Sequence, residues 1–279
     1  MLEILETDNC SEKYIEVSEG AKLHITDKGT GQPVVLLPGL PMSDEIFKFT
    51  YDALVEDGYR AIGITLRGFG KSDSASHYDI DLHAKDLHAV LMALELQHVV
   101  LAGYSYGGSI AAYYVATYKP RSVAQLILIS ANVPSYVQRD NYPYGLKKET
   151  FDEIISFSQT NLKEMVNVYG PLFQLEESFM ALSLGNWITE INQQSTPEAV
   201  TQGLIILRDL DLRPLLSHIE IPTTIFHDKD DQTVPFDLAE QTLAGITHAK
   251  LVIFDQGGHW FIFTEIAKFN KELLQAIIK

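Results

Sequence analysis

The sequence predicts an α/β protein with a mostly parallel, doubly wound sheet, and three observations lead there. Short runs of aliphatic and β-branched residues recur at Pro33–Leu37, Arg60–Thr65, His98–Gly103 and Gln125–Ser130, the pattern of strands covered on both faces. Between them, Phe47–Glu56, Leu82–Leu94 and Gly108–Tyr118 place apolar residues three and four apart, as helices with one buried face do. Strand and helix therefore alternate, which is the signature of parallel strands joined by helical crossovers.

Taken in order, the chain begins with two strands, Lys13–Val17 and Ala21–Asp27, joined around Glu19-Gly20 as an antiparallel edge. The turn Lys28-Gly29-Thr30-Gly31 leads into the first parallel strand, and Asp79 or Asp81 offers a cap for the helix over 82–94. After Ser130 the alternation stops. From about Asn132 to Arg208 the text is helical and aromatic, with Phe151, Phe157, Tyr169, Phe173, Phe179 and Trp187 broken by Pro134, Pro143, Gly170-Pro171, Gly185 and Pro197. Alternation returns with a strand at Pro222–Phe226, a helix near Phe236–Ala244, a strand at Lys250–Phe254 and a helix from about Thr264 to Ile278. The expected organisation is one interrupted core, residues 1–131 and 209–279, with a helical insertion at 132–208 after the sixth strand.

A chain of 279 residues, 46% hydrophobic and 21% charged, has ample material for a large core. Its net charge of −16 is spread along the chain and no Lys/Arg cluster appears, which argues against nucleic acid and favours a neutral small-molecule substrate. The start is acidic where a secretory signal is basic, and no apolar run approaches the ~20 residues that span a bilayer. A cytoplasmic protein without membrane insertion is the expectation. Cys10 is the only cysteine, so it forms no internal disulfide, and it precedes the first clear strand, where a catalytic thiol lacks positioning. Neither a cofactor nor a metal is expected.

The chemistry concentrates at Gly103-Tyr104-Ser105-Tyr106-Gly107, which follows an apolar strand and opens a helix. In that context a serine sits on a tight turn from strand to helix with its hydroxyl held outward, and side chains on Gly103 or Gly107 collide with backbone. A serine hydroxyl needs a base to take its proton. Of nine histidines, His259 is the candidate: it follows a strand and Gly257-Gly258, at the sheet edge where ligands of open α/β folds gather. His83, His88 and His98 belong to helix or strand edges, His218 and His248 to surface turns, and His227 to the end of a strand, where a structural role is expected.

These residues resemble the α/β-hydrolase superfamily over nearly the whole chain, with the insertion standing where that family has a cap. Pro38-Gly39-Leu40-Pro41-Met42-Ser43 resembles its oxyanion loop, Leu66-Arg67-Gly68-Phe69-Gly70-Lys71-Ser72 its Arg-Gly-x-Gly-x-Ser turn, residues 226–235 its acid loop, and Gln256-Gly257-Gly258-His259 its histidine loop. The order Ser, Asp, His is also the family's. Within the superfamily the chain looks most like the cofactor-free esterases historically called non-haem haloperoxidases. It departs from the family where Pro38 replaces a usual His and Thr65 a usual Asp. The first bears on the oxyanion loop's shape and the second on a structural contact near Arg67.

The resemblance implies roles. Asp231 is the acid, favoured over Asp228 and Asp230 by its register four residues before Pro235. The alternative position after the sixth strand reads Ser130-Ala131-Asn132-Val133, without a carboxylate. The backbone N–H groups of Leu40 and Tyr106 form the oxyanion hole. Tyr104, Tyr106 and Trp260 are candidates for lining the acyl pocket, with cap-to-core packing as the alternative, and Arg67 is structural. The implied activity is a serine hydrolase cleaving a small to medium carboxylic ester or lactone through an acyl-enzyme on Ser105. Perhydrolase, thioesterase, carbon–carbon hydrolase and peptidase chemistry share this triad, and a triad-bearing small-ligand sensor is the alternative from another class.

Overall fold

The computed structural model describes residues 3–7, 10–160 and 179–277. Nine strands form one sheet: β1 Glu3–Thr7, β2 Cys10–Glu16, β3 Lys22–Lys28, β4 Pro33–Leu37, β5 Arg60–Ile64, β6 Val99–Tyr104, β7 Val123–Ile129, β8 Thr223–Asp228 and β9 Lys250–Phe254. Their order is β1-β2-β3-β5-β4-β6-β7-β8-β9. The pairs β1–β2, β2–β3 and β3–β5 are antiparallel, and every other pair is parallel.

Both faces of the central strands β4 and β6 are buried, so these strands read as unbroken apolar runs. In β4, Val35 and Leu37 join one core while Val34 and Leu36 join the other; in β6, Leu101 faces the first and Val100, Ala102 and Tyr104 the second. Period-2 alternation is therefore present in space but silent in hydropathy.

The covering helices are α1 Lys48–Glu56, α2 Ile80–Ala93, α3 Tyr106–Tyr118, α7 Phe236–Gly245, the short α8 Phe261–Thr264 and α9 Ile266–Ala276. Between β7 and β8 lie α4 Lys148–Thr160, α5 Phe179–Asn192 and α6 Pro197–Asp209. Asp79 caps α2 by accepting from the Leu82 N–H at 2.6 Å, which settles the choice between Asp79 and Asp81. Thr196 caps α6, with Pro197 at its first position, so this proline begins a helix where the sequence suggested a break. Tyr169, Gly170-Pro171 and Phe173 lie outside the described residues.

Three details differ from expectation. β1 was not foreseen, because the five residues Glu-Ile-Leu-Glu-Thr show no period-2 alternation and carry little strand signal. Cys10 opens β2 instead of preceding the first strand. With the extra edge strand, the helical segment follows the seventh strand, not the sixth. Among the described residues, no helix is long and apolar enough to cross a membrane.

The order β5-β4-β6 reverses the direction of winding between β4 and β6, and the carboxyl ends of strands at such a reversal frame a crevice. β4 ends at Leu37, just before Pro38-Gly39-Leu40, and β6 ends at Tyr104, just before Ser105.

Candidate active site

Ser105 joins β6 to α3 with φ 52° and ψ −117°, a left-handed backbone that a non-glycine residue rarely adopts. Its N–H donates to the Ile129 carbonyl at 2.8 Å, which fixes the turn to the end of β7. The flanking glycines are required sterically. A Cβ on Gly107 would stand 2.3 Å from the Leu37 carbonyl oxygen, and one on Gly103 would stand 2.4 Å from that of Gly107. Gly39 approaches from the other side, where a Cβ would lie 3.0 Å from the Ser105 Cβ, so the Gly39–Leu40 backbone runs directly past the serine.

Tyr106 is the first residue of α3, and its N–H is among those a helix start leaves without an intrahelical acceptor. In the facing loop, Met42 N–H donates to the Gly39 carbonyl at 2.8 Å, closing a tight turn around Leu40 and Pro41. This turn is held from above: the Ser195 hydroxyl donates to the Pro41 carbonyl at 2.6 Å, and Gly203 of α6 lies against the Leu40 side chain. The helical segment is thus tied directly to the loop carrying Leu40.

Asp231 and His259 meet across the ends of β8 and β9. The His259 Nδ1–H donates to Asp231 Oδ2 at 2.8 Å, which leaves Nε2 as the unprotonated nitrogen of the neutral ring. Asp231 Oδ1 accepts from the N–H groups of Thr233 and Val234 at 2.9 and 2.7 Å. Burial alone would raise the Asp231 carboxyl; the charge and hydrogen bond of His259, with the nearby His227 and the Val234 N–H, outweigh it and hold the pKa below the usual carboxylate value. Of the neighbouring carboxylates, Asp228 accepts from the Asp230 N–H at 2.8 Å and serves the turn.

His227 donates from Nε2 to the Val234 carbonyl at 2.7 Å and stands 3.6 Å from Asp231 Oδ2. Burial pushes its pKa down, and its bond to Val234 braces the acid loop.

Tyr104 is fully buried, and its hydroxyl donates to the His259 carbonyl at 2.8 Å while the two rings lie 5.0 Å apart. The Tyr106 ring turns into the core, edge-on to His83 at 5.7 Å. Trp260 packs edge-on to His259 at 6.0 Å and against Phe263 at 5.9 Å.

Arg67 is buried and paired with Asp86 by two hydrogen bonds of 2.6 and 2.7 Å, and it also donates to the Ser18 carbonyl. Thr65 makes no part of that contact. Its hydroxyl bonds Asp44, whose carboxylate also takes the Tyr51 hydroxyl at 2.8 Å and lies 3.2 Å from His24 Nδ1. The expected contact near Arg67 is therefore replaced by a separate buried cluster centred on Asp44.

Sequence reasoning passed over one residue at the site. Among the described residues, the hydrogen-bond acceptor of the Ser105 hydroxyl is Asn132 Oδ1, at 3.3 Å. The available signal was a polar residue three positions beyond a buried strand that pairs, through Ile129, with Tyr104. Also among the described residues, no group of three His, Cys, Asp or Glu side chains is placed to hold a metal ion.

With fold and geometry in place, comparison with known proteins gives a consistent family. The sequence profile described as alpha/beta hydrolase fold matches residues 32–266, and the chain belongs to that family. It is 35% identical over 263 residues to the AB hydrolase superfamily protein YisY of Bacillus subtilis, covering 94% of this chain and 97% of that protein. It is 31% identical over 271 residues to the non-heme haloperoxidase of Rhodococcus erythropolis, covering 95% and 98%. Among solved structures, the esterase EaEST from Exiguobacterium antarcticum superposes with a TM-score of 0.90 at 36% identity, covering 94% of this chain and 97% of that one. This is an enzyme family with esterase and haloperoxidase relatives.

Proposed function

We propose that the protein is a serine hydrolase of small to medium carboxylic esters or lactones, with Ser105 as nucleophile, His259 as base and Asp231 as the orienting acid. The observation that carries this reading is the 2.8 Å Asp231–His259 hydrogen bond, which leaves Nε2 free to take a proton in a ring 5.0 Å from that of Tyr104, the residue before Ser105 on its strained turn. In the first half-reaction the Ser105 hydroxyl turns from Asn132 towards Nε2, gives up its proton and attacks the acyl carbon. The oxyanion is received by the N–H groups of Leu40 and Tyr106, donors whose individual loss costs about 2.7–4 kcal/mol of transition-state stabilisation in comparable sites. Protonated His259 hands its proton to the leaving alcohol. Water activated by the same nitrogen then releases the acid. Residues 132–208 serve as the cap, and the Ser195–Pro41 bond supports that role by linking them to the oxyanion loop. The test is turnover of p-nitrophenyl esters from acetate to octanoate by wild type and Ser105→Ala: a burst and a chain-length optimum in the first and loss of turnover in the second support the reading.

A second reading is peracid formation, in which hydrogen peroxide replaces water in the deacylation of the same acyl-enzyme. The haloperoxidase relative and the proline at position 41 favour it. Acetate and hydrogen peroxide yielding peracetic acid, dependent on Ser105, is the outcome it requires.

A further inference from the structure

The Asn132 carboxamide occupies a built position. Ser130 N–H donates to the Phe226 carbonyl at 2.8 Å, the Asn132 carbonyl accepts from the Ser109 hydroxyl at 3.1 Å, and the Val133 carbonyl accepts from the Thr242 hydroxyl at 2.7 Å. The segment from β7 into the helical insertion is therefore clamped by β8, α3 and α7. It delivers a side chain that is only 3% exposed, with Oδ1 3.3 Å from the Ser105 oxygen.

That contact changes during the proposed reaction, on which this inference rests. In the free enzyme the Ser105 O–H supplies a donor to Oδ1. Once Ser105 is acylated its oxygen carries no proton, and the buried Oδ1 loses the donor it has among the described residues. A buried acceptor deprived of its partner destabilises the state in which this happens. An acyl group that brings its own hydroxyl to the same place removes the deficit. An oxygen on the carbon next to the acyl carbonyl is separated from the serine oxygen by only three bonds, so it falls within reach of a group that already touches that oxygen.

We propose that Asn132 selects the acyl group of the substrate, and that the preferred substrates are esters of 2-hydroxycarboxylic acids. Asn132 accepts a hydrogen bond from the 2-hydroxyl in the transition state and the acyl-enzyme. The reaction itself is unchanged: ester and water give acid and alcohol, with no further reactant.

The test compares ethyl lactate, each enantiomer separately, with ethyl propanoate, on wild type, Asn132→Val and Asn132→Ala. The readout is the lactate-to-propanoate ratio of kcat/KM, so that the higher intrinsic reactivity of 2-hydroxy esters cancels between enzymes. With one enantiomer the ratio is expected to fall about tenfold in the variants, a typical consequence of one buried hydrogen bond. The variants lose rate on lactate and gain it on propanoate, because no stranded acceptor remains. General structural damage slows both esters alike and leaves the ratio where it was. Each protein is also treated with a fluorophosphonate, which labels an activated serine. Labelled wild type with the same ratio in whichever variant is folded and labelled overturns the role of Asn132 and leaves the serine hydrolase reading standing. Wild type that is neither labelled nor active on any ester overturns both.

Discussion

The Tyr104 hydroxyl donates to the His259 backbone carbonyl at 2.8 Å, and its ring lies tilted against the imidazole 5.0 Å away. The residue before the candidate nucleophile thus holds the loop of the candidate base, so two segments 155 positions apart are set by one side chain. Burial raises the phenol's pKa well above its ordinary value, which keeps the donor protonated. Tyr104→Phe retains the ring contact and removes only the bond. It should lower stability by about 1 kcal/mol and reduce kcat/KM for p-nitrophenyl acetate, as thermal melts and steady-state rates will show.

Replacing Asp231 with Asn separates orientation from packing. The amide keeps an acceptor for the Thr233 and Val234 N–H groups, yet it no longer favours the tautomer with a proton on His259 Nδ1. A drop of roughly 10⁴-fold in kcat is expected from the same change in a serine triad. Circular dichroism should show the fold retained.

Much of this arrangement is legible in the sequence, for reasons that differ by residue. β4 and β9 run over Pro33–Leu37 and Lys250–Phe254 as the apolar runs indicate, because both faces of β4 are covered and Gly or Pro stands close to the ends of each. Helix α3 starts at Tyr106, two residues before the reading from periodicity, since Gly107 and Gly108 are poor helix formers admitted here by close packing. Ser105, Asp231 and His259 stand out because each lies in a short motif at a strand end. The Thr65–Asp44 and Asn132–Ser105 contacts join residues 21 and 27 positions apart with no local pattern, and only the sheet's register brings them together.

The Arg67–Asp86 pair supplies a further prediction. Both side chains are almost wholly buried, so removing the carboxylate strands a guanidinium in the core. Asp86→Ala should cost about 3–5 kcal/mol of stability, read by denaturant unfolding. Activity per folded molecule should change little, since the pair anchors α2 to the Arg67 turn and Ser18, and touches none of the proposed catalytic groups.

The His24–Asp44 cluster predicts a pH dependence of stability. Burial pushes His24 down, but the hydrogen bond and charge of Asp44, with the hydrogen bond of Glu12, outweigh it against the opposing charge of Lys71, and its pKa is raised above 6.5. A raised histidine pKa means the folded state holds the proton more tightly than the unfolded chain. Its stabilisation is fully present below about 6.5 and is lost as pH rises through the folded value. Asp44, held below 3.8 mainly by the hydrogen bond and charge of His24 against its own burial, stabilises above that value and loses its contribution as pH falls through its folded pKa. Melting curves of wild type and His24→Gln from pH 5.5 to 9 should therefore differ most at the acid end and converge as pH rises. A constant difference contradicts the assignment.

Gly107→Ala tests the packing of the turn itself. The new methyl would meet the carbonyl oxygens of Leu37 and Pro38 at 2.3 and 2.6 Å, backbone atoms that cannot rotate away. A loss of about 3 kcal/mol or more is expected, visible as a lower denaturation midpoint.

Trapping the proposed covalent intermediate on Ser105 is the decisive measurement. Wild type mixed with a p-nitrophenyl ester and quenched in acid within the burst should gain the mass of one acyl group, and peptide mapping should place it on Ser105. Ser105→Ala should gain none. An acyl group on another residue, or undiminished turnover by Ser105→Ala, contradicts the account.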